Sequence, residues 1–264
     1  MDEFKKIVQD IKELKIQGAT NIALQGLKAM QLSSDYKSIK ELISARPTEP
    51  CLQNAIKYAK EVSNPKIAYN YLRNMDQRTE AIASKLIKKN MTIYTHCHST
   101  TVVESIKKSE VKPKVHNTET RPLYQGRKTA KELASAGINV THFVDSAAEE
   151  AIAGADIIMI GADMITEKGA YNKIGSYMIS ELAKKHKTPV YIISNSWKYS
   201  PKELKIEERS SNEVWDISLK NLKIRNPAFE LIPNKNIKKI VCELGVLSPK
   251  KFIKKTQKTY PWIK

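Results

Sequence analysis

Apolar side chains recur every three or four residues through roughly the first 90 positions, the spacing that gives a helix one buried face. The pattern begins with Phe4, Val8 and Ile11 and is interrupted at Gln17 and Gly18. Four more helices are predicted: around Ile22 to Met30, from a cap near Ser34-Asp35 to Pro47, from Leu52 to Val62, and from Pro65 to Lys89. We therefore predict an N-terminal helical domain over residues 1–88.

Short β-branched runs alternate with helical stretches after Met91. The predicted strands are Thr92–Tyr94, Lys114–Val115, Asn139–Val144, Asp156–Ile160, Val190–Ile193 and Lys239–Cys242. The predicted helices are Ser99–Lys108, Gly126–Ala136 and Lys173–Lys187. This alternation predicts an α/β fold, with a Rossmann-like, mainly parallel doubly wound sheet over residues 89–264. Ligands of such sheets bind beyond the carboxyl ends of the strands.

The composition argues against a membrane-spanning protein, a secreted disulfide-linked protein and a zinc-binding protein. The chain has 264 residues, of which 41% are hydrophobic and 28% charged, and it contains no run of apolar residues long enough to cross a membrane. The first residues lack the apolar core of a secretory signal. Three cysteines without C-x-x-C spacing argue against a zinc site or a disulfide framework. We expect a cytoplasmic protein that requires no metal.

A formal net charge of +17 favours attraction to polyanions, including phosphorylated sugars, acidic proteins and nucleic acid. The lysines are spread along the chain in pairs such as Lys88-Lys89 and Lys250-Lys251, without one dense basic block. This distribution is more typical of a lysine-rich, solvated surface. Nucleic acid is therefore not a required partner.

Cys97 lies between a predicted strand and a predicted helix. Unpaired N–H groups at a helix N-terminus favour a thiolate or a bound phosphate, and the neighbouring His96 and His98 could add positive charge. A small buried cysteine in the turn is an equally good interpretation from position alone. Cys51 and Cys242 fall inside apolar patterns and are interpreted as packing residues.

Asp163 follows another predicted strand, after the small residues Gly161 and Ala162. Small residues let a ligand approach the backbone, and a carboxyl group at a strand end is a candidate general acid or base. From spacing alone, an aspartate that caps the next turn is a slightly better interpretation.

Several donors at successive strand ends would suit a phosphate group. Arg121 and Arg127 flank a predicted helix start at Gly126, and Asn172-Lys173 and Lys198 follow later strands. Each donor alone is also compatible with a solvated loop. Together they favour an anion site at one edge of the sheet.

The motifs carry a family resemblance. Thr95-His96-Cys97-His98-Ser99, Glu119-Thr120-Arg121-Pro122, Gly161-Ala162-Asp163 and Asn172-Lys173-Ile174-Gly175 occur in this order. In these segments the chain resembles the archaeal ribose-1,5-bisphosphate isomerases. That group shares a superfamily with methylthioribose-1-phosphate isomerase and with the alpha, beta and delta subunits of translation initiation factor 2B. The resemblance extends from Ile16 to Gly245.

The resemblance implies an aldose–ketose isomerase of nucleotide (AMP) salvage, with Cys97 as base and Asp163 as acid and with no cofactor. It also implies a homodimer or a higher homo-oligomer. The implied substrate contacts are Gln17, Gly18, Ala19, Arg46, Ser99, Thr100, Thr101, Arg121, Asn172, Lys173 and Lys198.

Three departures from the family pattern bear on the substrate. Gln17 stands where the family has arginine, the segment from Asp163 to Asn172 is one residue shorter, and the family's Phe-Asp-x-Thr-Pro reads Phe-Glu-Leu-Ile-Pro at residues 229–233. Losing a guanidinium weakens phosphate binding unless another cation replaces it. Two alternatives stay open: a non-catalytic regulatory subunit like those of the translation factor, and a methylthioribose-1-phosphate isomerase with an apolar pocket in place of the second phosphate site.

Overall fold

The computed structural model describes residues 2–203 and 206–263. Five helices form the N-terminal part: α1 (Glu3–Lys12), α2 (Ala19–Leu32), α3 (Tyr36–Ala45), α4 (Pro50–Glu61) and α5 (Pro65–Ser84). Their starts follow local chemistry, since the Asp35 carboxylate accepts from the N–H groups of Lys37 and Ser38 at the start of α3. The predicted helical region is confirmed.

The central sheet contains seven strands: β1 (Thr92–Thr95), β2 (Lys114–Thr118), β3 (Asn139–Phe143), β4 (Ile157–Ile160), β7 (Val190–Ile193), β9 (Lys239–Cys242) and β10 (Gly245–Leu247). Their order across the sheet is β10-β9-β7-β4-β1-β2-β3. All neighbouring pairs are parallel except β9 and β10. Helices α6 (Thr100–Lys107), α7 (Gln125–Ser135), α8 (Ala148–Ala153), α9 (Ser176–Lys185) and α10 (Pro249–Thr259) accompany the sheet. The predicted α/β class is confirmed.

A second, antiparallel sheet corrects one predicted element. Its strands are β5 (Met164–Ile165), β6 (Gly169–Lys173) and β8 (Phe229–Pro233), in the order β5-β6-β8. The prediction of helix from Lys173 was wrong, because Lys173 pairs with Phe229 as the last residue of β6. Helix α9 begins only after Gly175, whose φ of 100° lies in the left-handed region.

One apolar core joins the helices to the sheet. The same cluster of buried side chains includes Val8 and Leu72 from the helices and Ile158 and Trp197 from the α/β part. Helix α5 packs against α6 and β9. The change from helices to strands lies between Ser84 and Thr92, where the predicted boundary at residue 88 also falls. Among the described residues, no helix is both long and apolar enough to cross a membrane.

Candidate active site

A cavity of about 360 Å³ lies between the helical part and the carboxyl ends of the parallel strands. It lies at the end of the sheet where ligands of parallel α/β sheets bind. Of the predicted donors, Arg121 and Arg127 do not line it. The other predicted site residues do: Gln17, Gly18, Ala19, Arg46, Cys97, Ser99, Thr100, Thr101, Asp163, Asn172, Lys173 and Lys198. The fold therefore brings both candidate proton-transfer residues to one space.

Cys97 is held in a strained turn between β1 and α6. Its φ of 64° is unusual for a residue with a side chain. Its N–H donates to Thr120 Oγ1 at 3.0 Å, and its carbonyl accepts from Thr129 Oγ1 at 2.8 Å. These two bonds fix the backbone, and the half-buried side chain lines the cavity.

The turn after Cys97 packs closely against the end of β4. Ser99 caps α6, and a Cβ added to Gly161 would lie 2.7 Å from Ser99 Oγ and 2.8 Å from Ser99 Cβ. The close packing of this turn thus requires a glycine at position 161. This is a different reason from the ligand approach expected from the sequence.

Asp163 begins the chain reversal that leads from β4 into the second sheet. Its N–H donates to the carbonyl of Tyr171 at 2.9 Å, which fixes the backbone beside β6. Burial raises the pKa of the Asp163 carboxyl above its ordinary value, against the opposing charges of Lys198, Lys173, Arg46 and Arg209. A raised pKa suits a group that must donate a proton.

Burial also raises the pKa of the Cys97 thiol, to about 11. The charge of Lys173 opposes this rise, the carboxyl of Asp163 adds to it, and a hydrogen bond from the His98 backbone lowers it. A pKa of about 11 favours the thiol form of Cys97 at neutral pH, whereas its position before a helix had favoured a thiolate. The effect of burial on the pKa of the Cys97 thiol therefore outweighs that of the N-terminus of the short helix α6.

The two histidines beside Cys97 have different surroundings. His96 is buried, and its Nε2 donates to the carbonyl of Ile174 at 2.9 Å, which anchors the loop after Lys173. His98 lines the cavity and pairs with Glu132 at 3.2 Å. Burial lowers the pKa of both rings, so His96 supports the site as a neutral side chain.

Lys198 and Asn172 are fixed by buried polar contacts. Asn54 of α4 donates to the carbonyls of Trp197 and Tyr199, at 2.8 and 2.9 Å, and thereby holds the turn that carries Lys198. The amide of Asn172 donates to Ser176 Oγ at 2.9 Å. Both predicted contacts are thus held in place at the cavity wall.

Arg46 lines the cavity but is already neutralised. Its guanidinium lies 3.1 Å from the carboxylate of Glu49 and 3.0 Å from that of Glu207. Burial raises the pKa of Glu49 to about 7, and Asp163 adds to the rise, while Arg46 opposes it. Arg46 therefore offers a phosphate less charge than the sequence suggests.

Two further predicted contacts, Gln17 and Arg121, have partners within the chain. The Gln17 amide donates to the carbonyl of Leu14 at 2.7 Å, although Gln17 still borders the cavity. Arg121 lies outside the cavity, where its guanidinium donates to Tyr124 Oη and to the carbonyl of Val214. The structure does not bring Arg121 to the site.

Further lining residues were not predicted from the sequence. They include Glu49, Asp76, Lys128, Arg209 and Phe229. Glu49 lies between two predicted helices, Asp76 lies in a helical pattern, and Arg209 lies in a stretch without periodic apolar positions, so only the tertiary fold indicates them. Within residues 2–203 and 206–263, no group of three or more acidic, histidine or cysteine side chains is placed to hold a metal ion.

Comparison with known proteins identifies the family. The model of the initiation factor 2 subunit family matches residues 15–249. The chain belongs to this family. A ribose 1,5-bisphosphate isomerase from Methanocaldococcus jannaschii is 36% identical, with 100% of this chain and 97% of that protein covered. One from Archaeoglobus fulgidus is 34% identical over 94% of this chain and 91% of that protein. The predicted resemblance to this isomerase group is confirmed.

A solved structure shares the fold. The crystal structure of a Pyrococcus horikoshii translation initiation factor 2B protein superposes with a TM-score of 0.81 at 25% identity, covering 94% of this chain and 98% of that one. Family members thus carry both isomerase and translation-factor names, so the function of this chain has to be argued from its site.

Proposed function

We propose that this protein is an aldose–ketose isomerase that converts ribose 1,5-bisphosphate to ribulose 1,5-bisphosphate. The sugar-phosphate isomerase class is supported by the two isomerase relatives described above. The observation that carries the finer proposal is that Cys97 and Asp163 line one cavity together with Lys173 and Lys198.

The substrate requires two proton-transfer groups. A furanose phosphorylated at C1 cannot open to a free aldehyde without losing that phosphate. In the proposed reaction, Asp163 donates a proton to the ring oxygen as the bond from C1 to that oxygen breaks. Cys97 removes the C2 proton, and a double bond forms between C1 and C2. The product of this step is an open-chain enol that keeps its phosphate.

The second half of the reaction restores both groups. Cys97 returns the proton to C1, and Asp163 takes the proton of the C2 hydroxyl as the carbonyl forms there. The net change is a proton moved from C2 to C1, with the ring opened and both phosphates retained. Lys173 and Lys198 stabilise negative charge that develops on the enol oxygen.

The resting protonation states fit this scheme through one internal transfer. Burial raises the pKa of both groups, that of the Cys97 thiol to about 11, and the thiol and carboxylate form of the pair holds one proton, on Cys97. The reactive form, thiolate and carboxylic acid, holds the same number of protons. Bound substrate with its phosphates paired to the lysines excludes water, and the pair redistributes its proton without exchange with solvent.

Purified protein mixed with ribose 1,5-bisphosphate should form the ketose, as followed by chromatography. Cys97→Ser and Asp163→Asn should each reduce kcat by at least about a thousandfold while substrate binding stays within a few fold, because neither change removes a cation. Cys242→Ser is the matched control: Cys242 lies in β9, away from the cavity, and its thiol donates to the carbonyl of Gly245. Full turnover by Cys97→Ser would refute the assignment of the base.

Two observations favour other functions. Arg46 is neutralised and position 17 lacks an arginine, which suits a regulatory subunit that binds a phosphorylated ligand without turnover. Leu14, Ile16, Ile22 and Leu24 line the cavity near Gln17, which suits the thioether of methylthioribose 1-phosphate. Comparing turnover of both sugar phosphates separates the three functions, and we expect the bisphosphate to give the higher kcat/KM.

The setting of the reaction belongs to the same proposal. An isomerase for this substrate would act in nucleotide (AMP) salvage, where ribose phosphates are released from nucleotides.

We further propose that the working unit is a homodimer or a higher homo-oligomer, as the family resemblance implies. Analytical ultracentrifugation tests this assembly directly, and a monomer that retains full activity would contradict it.

A further inference from the structure

Arg209 reaches the cavity from the segment that leads to β8. Its N–H donates to the carbonyl of Asn226 at 2.9 Å, and the adjacent Glu208 forms a bridge with Pro227. This pairing directs the Arg209 side chain into the cavity, where only 8% of it is exposed. The sequence motifs did not indicate this residue.

The guanidinium of Arg209 has donors without acceptors. In the described part of the chain, neither its Nε nor its Nη1 has a hydrogen-bond partner. The nearest carboxylate is that of Glu207, 3.4 Å from Nε, and Glu207 also pairs with Arg46 at 3.0 Å. A buried guanidinium with unused N–H groups is costly unless a ligand accepts from them.

A second buried cation lies on the same aromatic ring. Lys173 Nζ is 5.1 Å from the centre of the Phe229 ring, and the Arg209 guanidinium carbon is 5.9 Å from it. Burial lowers the pKa of Lys173, and the charge of Arg209 lowers it further. Two like charges beside one ring in a partly dry site disfavour each other, and an anion bound between them would relieve this.

We propose that Arg209, together with Lys173, binds a phosphate group of the substrate and supplies the guanidinium that position 17 lacks. The planar fork of arginine donates two parallel hydrogen bonds to phosphate oxygens, and the lysine adds a third charged donor. The identity of the ligand as a sugar phosphate rests on the proposed function. Binding of a phosphate group by Arg209 and Lys173 can be measured whether or not the protein turns over a substrate.

The test compares Arg209→Gln with Arg225→Gln, which removes the same charge elsewhere. Arg225 is 64% exposed and pairs with Glu208, so it serves as a matched control. For Arg209→Gln we expect the KM for ribose 1,5-bisphosphate to rise at least about tenfold, with a smaller change in kcat. Calorimetry with inorganic phosphate should show a parallel loss of affinity. Arg225→Gln should match the unchanged protein in both measurements.

Arg209→Lys separates binding from folding. The lysine variant keeps the positive charge but loses the two parallel N–H donors of the guanidinium. We therefore expect an intermediate phosphate affinity at an unchanged midpoint of thermal unfolding. If Arg209→Gln binds phosphate and substrate within about twofold of Arg225→Gln, the subsite does not exist. Because phosphate affinity is measured without turnover, an inactive protein would refute the isomerase while leaving this comparison decisive.

Discussion

The chemistry at the residue scale depends on two half-buried acids, Cys97 and Asp163, whose pKa values are both raised. At a pH low enough to protonate both groups, no base remains. At a pH high enough to deprotonate both, which for the Cys97 thiol means above about 11, no acid remains. We therefore expect kcat/KM to be level between these limits and to fall on either side. The acid limb should lie above pH 3.8, since the pKa of Asp163 is raised from that value.

Alkylation of Cys97 by iodoacetamide measures its pKa separately. The rate should rise about tenfold per pH unit through the neutral range, because only the thiolate reacts. Cys51 and Cys242 are buried, so Cys97→Ser should show almost no labelling. A rate that is already level at neutral pH would mean that the free protein holds a thiolate, contrary to the effect of burial.

Sequence alone locates the residues that follow strands. Cys97 and Asp163 were candidates because β-branched runs precede them and the ends of parallel strands meet at one edge, but only the family resemblance implied their roles as base and acid. Arg209 was not identifiable, since its pairing with Asn226 joins segments without strand patterns. The neutralisation of Arg46 by Glu207 is equally invisible, because the two residues lie far apart in the chain.

At the scale of elements, the position of Cys97 depends on how closely α6 approaches β4. Gly161→Ala places a methyl group within 2.8 Å of Ser99 Cβ, so the start of α6 or the end of β4 must move. We expect a loss of about 1–3 kcal/mol in the free energy of unfolding, measured in urea, together with a lower kcat.

Gly154→Ala is the control for this change. A Cβ at Gly154 would have His116 Cε1 as its nearest neighbour, at 3.5 Å, which is an ordinary contact. The free energy of unfolding of Gly154→Ala should differ from that of the unchanged protein by less than about 0.5 kcal/mol. Equal stability and activity of the two variants would mean that the turn at Ser99 tolerates displacement and does not fix Cys97.

Helix starts were predictable where caps and periodic positions coincide, as in α3 and α5, whereas the predicted end of α5 at Lys89 was wrong, since the helix ends at Ser84. The second sheet was not, because β6 finds its partner β8 only after the intervening β7 and a long connection. Lys173 has no local property that marks it as the last residue of a strand. Its burial and its approach to Phe229 follow from that long-range pairing.

For the whole molecule, the net charge of +17 divides into a solvated surface and a few buried cations. Lys173 and Lys198 are 5% and 6% exposed, whereas Lys168 and Lys185 are about two-thirds exposed and pair with surface carboxylates. Salt screens exposed charges strongly and buried ones weakly. Binding to polyanions and binding of the substrate should therefore respond differently to ionic strength.

Raising the salt from about 50 to about 200 mM should abolish retention of the protein by DNA, since such binding depends on counterion release from a dispersed basic surface. Over the same range the KM for ribose 1,5-bisphosphate should change by less than about threefold, because the cations that hold its phosphates lie inside the cavity. Gel retardation and steady-state kinetics measure the two effects on one preparation. A KM that rises as steeply as the DNA affinity falls would mean that surface lysines attract the substrate, and the buried cations of the cavity would then not account for its binding.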